Sequence, residues 1–421
     1  MPSAPPFRAP SGTHDVLPPE SARWQALVGR FAALAGQAGY GLVVNPVFED
    51  LGVFQRVGEG TDVVRKEMYA FEDRGGRPLA LRPEGTASVV RAYVQHRPTT
   101  PWKVWYAAPS FRYERPQAGR YRQHHQLGVE VLGSVDADVD VEVVVLAAEL
   151  FGALGVRRVT LALNSMGDDA CRPGYVALLG AFLDERTDQL CAEHRQRAGE
   201  QPLRVLDCKR TECREATAGA PRMLDHLCTA CDAHFRRVRD GLDALGIGYQ
   251  LESRLVRGFD YYTRTTFEFA ATALEGAQNA IGGGGRYDGL VEELGGPPTP
   301  GIGFGIGIER LLLACDAEGA LRLPEATVDV WVVDAVGGAA ARDLSWSLRR
   351  AGVAADRAFD ERSLRAQMKL ADRSGARLAV IVGADEQASG TVSLRQLRGN
   401  DGAQELVARD RVVARVRELL A

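Results

Sequence analysis

The chain has 421 residues, of which 45% are hydrophobic and 25% charged, with a formal net charge of −4. That length exceeds one hydrophobic core, so two or three domains of an ordinary globular protein are expected. No run of about 18 apolar residues suggests a membrane span, and the mild negative charge gives no global pull toward nucleic acid, so any RNA contact must use local basic patches.

Met1–Pro10 is rich in Pro and Ala, lacks an apolar h-region and reads as a frayed tail. Ala22–Ala38 has helical apolar spacing, with Leu27, Phe31 and Leu34 on one side. Lys103–Ala108 and Tyr121–Leu132 read as two strands around the turn-rich stretch Arg115–Arg120. From 167 to 252 the pattern turns helical and charged, and six of the seven cysteines lie there. Strand texture returns from Ser253 to Leu321, so 167–252 reads as an insertion into a domain spanning 1–325. A boundary rich in Pro and Glu at Leu323–Ala326 opens a region 326–421. There, strands at Val328–Val333 and Leu378–Val382 alternate with helices at Ala341–Ala351 and Glu405–Leu420, which predicts a small α/β domain. The odd cysteine number and the missing export signal point to a reducing cytoplasm rather than a disulfide framework.

Two segments carry chemistry. In the Tyr121–Leu132 strand, Arg122, His124, Gln126, Gly128 and Glu130 alternate onto one face, and Arg112 with Glu114 shares a face of the facing strand. Arginine can hold a phosphate bidentately, and a glycine within a strand often marks close approach by a ligand. A solvated sheet face with charge pairs is the plain alternative. Further on, Gly301, Gly303, Gly305 and Gly307 alternate with Ile302, Phe304, Ile306 and Ile308, so one strand face is all glycine. Arg310 opens the helix that follows. A nucleotide on the glycine face with Arg310 near its phosphates fits this pattern; tight sheet packing is the alternative. There is no P-loop motif, and the Gly282–Gly285 run lacks the spacing of a dinucleotide fingerprint.

Together these segments resemble the class II aminoacyl-tRNA synthetases, and within them the histidyl-tRNA synthetase family over nearly the whole chain. Gly12–Pro18 resembles that family's N-terminal signature, Tyr40–Phe48 its motif 1, Phe111–Arg115 through Glu130 its motif 2, and Gly303–Arg310 its motif 3. Leu255–Thr265 and Arg82–Thr86 are similar to the stretches peculiar to histidyl enzymes, and Ser363–Lys369 with Ala376–Gly383 to their anticodon-binding domain. The resemblance implies an α+β catalytic domain on an antiparallel sheet flanked by helices, a helical insertion and a C-terminal α/β anticodon-binding domain. It implies activation of L-histidine by ATP with Mg²⁺ to histidyl-adenylate, then transfer to the 3′ end of tRNA(His), by a cytoplasmic homodimer joined through motif 1.

By resemblance, Arg112 and Arg257 hold the α-phosphate and Arg310 the γ-phosphate, while Glu114, Arg120 and Gly305 complete the ATP site. The histidine site takes Glu84, Gly85, Thr86, Gln126, Glu130, Tyr261 and Tyr262 beside those two arginines, with Glu130 and Tyr262 on the imidazole. Aromatic filling of the sheet is the plain alternative for one of the two tyrosines. Cys208-x4-Cys213 and Cys228-x2-Cys231 admit a tetrahedral structural Zn²⁺, the first spacing being the looser; because zinc is not a general feature of the family it resembles, a set of unrelated reduced thiols is the favoured alternative. A non-catalytic paralogue, such as a regulatory subunit of histidine biosynthesis, shares the fold; the retained Arg257 segment and C-terminal region speak against it.

Overall fold

The hairpin expected around Arg112 forms the second and third strands of an eight-stranded sheet. In this computed structural model, which describes residues 7–421 apart from 59–60, 62, 259–260, 275–278, 324–327, 361 and 399–402, the strands run in the order Gly41–Leu42, Trp102–Phe111, Gln123–Leu132, Gly301–Gly307, Ala280–Arg286, Thr263–Ala271, Val159–Ser165 and Gln250–Leu251. The six inner strands pair antiparallel; the two short outer strands pair parallel to their neighbours. This unit comprises Met1–Arg322, and a second compact unit comprises Leu323–Ala421. The Phe259 and Asp260 of the histidyl-type stretch, and Pro324–Ala326 of the expected boundary, lie outside the described residues.

Period-two alternation gives the sheet two cores. Leu127, Val129, Val131, Ile302, Phe304 and Ile306 point to one face, where the helices Glu20–Gln37 and Ala137–Leu154 bury Leu27, Phe31 and Leu150 against them. Asp136 caps the second helix through Asp138 N at 3.1 Å. The opposite face meets Tyr106, Tyr261 and Tyr287 and the helix Thr86–His96. That face keeps Gly128, Glu130 and the alternate glycines, and the site lies there.

Between the neighbouring strands Val159–Ser165 and Thr263–Ala271, paired from Val159↔Ala271 to Ser165↔Thr265, the chain leaves the sheet. It runs through the helices Arg172–Asp184, Ala192–Arg197, Pro202–Leu206, Thr211–Ala216 and Thr229–Ala244. His234 of the last returns to the sheet unit and meets Asp140 at 2.8 Å. Asp140 also receives the fully buried Arg286, whose guanidinium reaches Ser134 O at 2.8 Å and Asp136 O at 3.1 Å. Arg286 follows the Gly282–Gly285 run, yet its donors are absorbed by protein acceptors, which satisfies a buried charge without a ligand.

In the second unit Ala355–Arg357, Val330–Asp334 and Leu378–Val382 pair parallel, and Thr391–Gln396 and Gln404–Ala408 extend the sheet antiparallel. The helix expected at Glu405–Leu420 is therefore split. Gln404–Ala408 is an edge strand paired from Arg395↔Gln404 to Thr391↔Ala408, and only Val412–Leu420 is helical. The short Glu405–Ala408 run suits either period, and ladder hydrogen bonds to Thr391–Gln396 decide for the strand.

Candidate active site

Two adjoining cavities open on the glycine face. The larger, about 240 Å³, is bordered by Arg112, Glu114, Arg120, Glu309, Arg310 and the Gly305–Gly307 end of its strand. The smaller, about 130 Å³, is bordered by Glu84, Thr86, Tyr106, Tyr261 and Tyr262. Arg112, Gln126, Arg257, Gly283 and Gly305 border both. A ligand filling both would pass beside two guanidinium groups.

Each arginine is fixed by its own element. Arg112, one residue past its strand, donates Nε to Pro83 O at 2.9 Å, which ties the hairpin to the Arg82–Thr86 loop. Arg82 anchors that loop through Pro109 O at 2.7 Å and Asn45 O at 3.2 Å. Arg310, in the first turn of the Ile308–Glu318 helix, donates to Ala280 O at 2.7 Å and Gly119 O at 3.2 Å. Burial and the nearby Arg120 lower its pKa, Glu114 opposing. Arg257 meets Glu268 at 2.7 Å, while its buried Nε has no hydrogen-bond partner among the described residues. Glu114 and Arg120 are ion-paired with each other across the hairpin loop.

The smaller cavity has an acidic floor. Glu84 is buried and accepts Ala87 N at 2.8 Å and Thr86 N at 2.5 Å, capping the Thr86–His96 helix; burial raises its pKa. Glu130 is fully buried and accepts from Thr86 Oγ1 at 2.8 Å, Tyr287 Oη at 2.5 Å and Tyr106 Oη at 3.3 Å. Burial, against those hydroxyl donors, pushes its carboxyl up to about 8. Glu130 does not border the cavity: the hydroxyls of Thr86 and Tyr106 stand in front of it. From the smaller cavity, Glu130 is reached past those two hydroxyls. His124 borders the larger cavity, where burial and then Arg112 push its pKa down to about 3, which keeps it neutral.

The glycines divide. A Cβ on Gly301 would lie 2.2 Å from the Tyr287 ring, and one on Gly303 would lie 1.8 Å from Glu130 Oε2. Gly128 and Gly85 likewise make room for Tyr106, at 2.2 and 2.5 Å. Gly85 is therefore not at the cavity wall, and what approaches Gly128 is the chain's own tyrosine, not a ligand. Gly305 and Gly307 alone of the alternating four border a cavity. Glu268, Gly282, Gly283 and Glu309 also border the larger cavity and were not singled out by sequence reasoning. Glu268, an acid between the buried Phe267 and Phe269, was the available signal.

The four cysteines whose spacing admitted one shared metal do not meet. Cys208 and Cys213 converge with Cys191 and His194, whereas Cys228 and Cys231 converge with Cys171 and Asp168. Cys228 caps the Thr229–Ala244 helix, whereas Cys213 Sγ accepts Cys191 N at 3.3 Å and so belongs with the other group.

An antiparallel sheet carrying a motif 2 hairpin arginine, a glycine strand and an arginine in the following helix is the catalytic fold of a class II aminoacyl-tRNA synthetase. A family model described as Histidyl-tRNA synthetase matches residues 12–167 and 184–311, and one described as Anticodon binding domain matches 329–419. A histidine–tRNA ligase of Rhodococcus erythropolis is 50% identical, with all of both chains covered. One of Desulforudis audaxviator is 48% identical over 97% of this chain and 98% of its own. The crystal structure of apo Staphylococcus aureus histidyl-tRNA synthetase superposes with a TM-score of 0.82 at 35% identity, covering 98% of this chain and 100% of that one. The chain belongs to the histidyl-tRNA synthetase family.

Proposed function

We propose that the larger cavity takes ATP and the smaller one histidine, with the α-phosphate lying between Arg112 and Arg257. The chain is a histidine–tRNA ligase, as its full-length relatives are named. The observation that carries the site reading is that these two guanidinium groups border both cavities. The histidine carboxylate attacks the α-phosphate, pyrophosphate leaves, and the 3′-terminal ribose hydroxyl of tRNA(His) then takes the histidyl group. Such chemistry needs positioned positive charge more than a covalent protein nucleophile.

Arg310 holds the γ-phosphate, and Glu114 with Arg120 borders the adenine end. Thr86, Gln126 and the edge of Glu84 receive the amino group. Tyr262 meets the imidazole directly; Glu130 acts on it through the hydroxyls of Thr86 and Tyr106. A pocket that pairs ring nitrogens rejects amino acids lacking them, because its own polar groups would stay unpaired. The carboxylates of Glu114, Glu268 and Glu309 on the larger cavity are hard oxygen donors of the kind Mg²⁺ takes. Bound there, Mg²⁺ supplies charge neutralisation to the phosphates.

The domain reading is a catalytic domain 1–325 interrupted by the insertion 167–252, followed by an anticodon-binding domain 326–421. Dimerisation through motif 1 is supported by Leu42, Val44, Val47 and Phe48, large apolar residues exposed beside the sheet's edge strand Gly41–Leu42. Among the described residues no helix is long and apolar enough to cross a membrane, and the seven free thiols favour the cytoplasm.

The experiment is ATP–pyrophosphate exchange with each of the twenty amino acids, without tRNA. Exchange with histidine alone is expected. Absence of exchange in folded protein that binds histidine would move the reading to a regulatory paralogue.

A further inference from the structure

We propose that the insertion is stapled by a structural zinc ion held by Cys191, His194, Cys208 and Cys213. The Sγ atoms and one imidazole nitrogen of these four residues lie within 4.8 Å of one another. Cys191 Sγ is 3.2 Å and Cys213 Sγ 3.9 Å from His194 Nδ1. In a tetrahedral site with Zn–S near 2.3 Å, ligand atoms sit about 3.8 Å apart, so small side-chain shifts close the cluster on an ion. Cys191 N also donates to Cys213 Sγ at 3.3 Å, the kind of backbone donor that supports a thiolate.

The location of the four ligands gives the ion a task. Cys191 immediately precedes the helix Ala192–Arg197, and His194 lies within it. Cys208 follows the helix Pro202–Leu206, and Cys213 lies within Thr211–Ala216. These helices have 6, 5 and 6 residues and no side-chain N-cap. Helices so short are unstable alone, and small cores of this kind recruit a metal or a disulfide. A single ion joining all three would fix their mutual arrangement. Cys191 and Cys213 are buried, whereas His194 and Cys208 border a cleft with Arg197, Gln201 and Asp207, which leaves an entry path. Apolar packing alone explains single buried thiols; it does not explain why an imidazole converges with three of them.

The neighbouring group Cys171, Cys228, Cys231 and Asp168 is the internal control. Its carboxylate already accepts Ala170 N at 3.1 Å and faces Arg264 at 3.4 Å. The test uses full-length, tag-free protein purified in reducing buffer. Zinc is measured by plasma mass spectrometry and melting temperature by fluorimetry, with and without a strong chelator. Cys208→Ser should lower bound zinc by one equivalent per chain, and Cys228→Ser should not. Chelation should lower the parent's melting temperature by about 5 °C or more and leave Cys208→Ser unmoved. His194→Cys, which keeps a four-ligand thiolate set, should retain the zinc and so separates ligation from folding. Parent protein with well under one zinc per chain that also fails to take up added Zn²⁺ would overturn the assignment. So would zinc lost from Cys228→Ser but kept in Cys208→Ser.

Discussion

Replacing Arg257 by Ala removes a half-buried charge from the boundary of the two cavities without opening the main core. Its partner Glu268 has about a third of its side chain exposed, at 34%, so water can rehydrate that carboxylate once the guanidinium is gone. The folding cost of breaking this half-buried ion pair is therefore small. The catalytic cost is larger. A unit charge about 4 Å from a phosphoryl oxygen, at an effective dielectric near 20, contributes about 4 kcal/mol, or roughly a thousandfold in rate. Loss of one preorganised donor to a developing negative charge elsewhere costs about 10²–10³ in kcat. Arg257→Ala should thus lower the kcat of histidine-dependent ATP–pyrophosphate exchange by about 10²–10³. Arg257→Lys should recover only part, since a point charge cannot keep Glu268 and a phosphate in one planar fork. Exchange in Arg257→Ala within about threefold of the parent, at an unchanged melting temperature, would refute the placement of the α-phosphate.

Three further outcomes follow from the same geometry. Glu130 holds its proton to about 8 when folded against 4.5 as a free side chain, so the folded chain binds a proton that the unfolded chain has lost between those values. Its contribution to stability is fully present below about 4.5 and is lost as the pH rises through about 8, a swing on the order of a few kcal/mol. Glu130→Gln should lack that dependence, so its deficit in urea midpoint should shrink between pH 5 and pH 8.5; a constant deficit would show that Glu130 is charged throughout. Gly303→Ala would set a methyl 1.8 Å from Glu130 Oε2 and should destabilise by about 1–3 kcal/mol. Gly307→Ala, whose Cβ meets nothing closer than 3.9 Å, should melt with the parent yet raise the KM for ATP. Equal melting of both would remove the distinction between packing and cavity glycines.

That distinction marks where sequence reading stops. Period two correctly put bulky residues on one face of Gly301–Gly307 and Arg, Gln and Glu on one face of the hairpin, because alternation is a property of a single strand. What lies across that face is a property of strand order. Gln126 and Glu130 alternate identically in the sequence, but Gln126 reaches both cavities while Tyr106 and Tyr287 close over Glu130. Gly303 and Gly305 look alike for the same reason, yet the register sets Gly303 opposite Glu130 and Gly305 opposite Gly128, so a Cβ would lie 1.8 Å from the Glu130 carboxylate at the first and 3.1 Å from the Gln126 amide, on the cavity wall, at the second. The thiols extend the point from strands to helices. Cys208 and Cys213 are followed by a C-x2-C pair that invites a four-thiol site, but Cys228 and Cys231 begin a long helix that packs on Asp140 through His234. That docking carries the second pair toward Cys171 and leaves the first to the short helices around Cys191. Local spacing proposes ligand pairs; the packing of the helix that bears them selects which pairs share a centre.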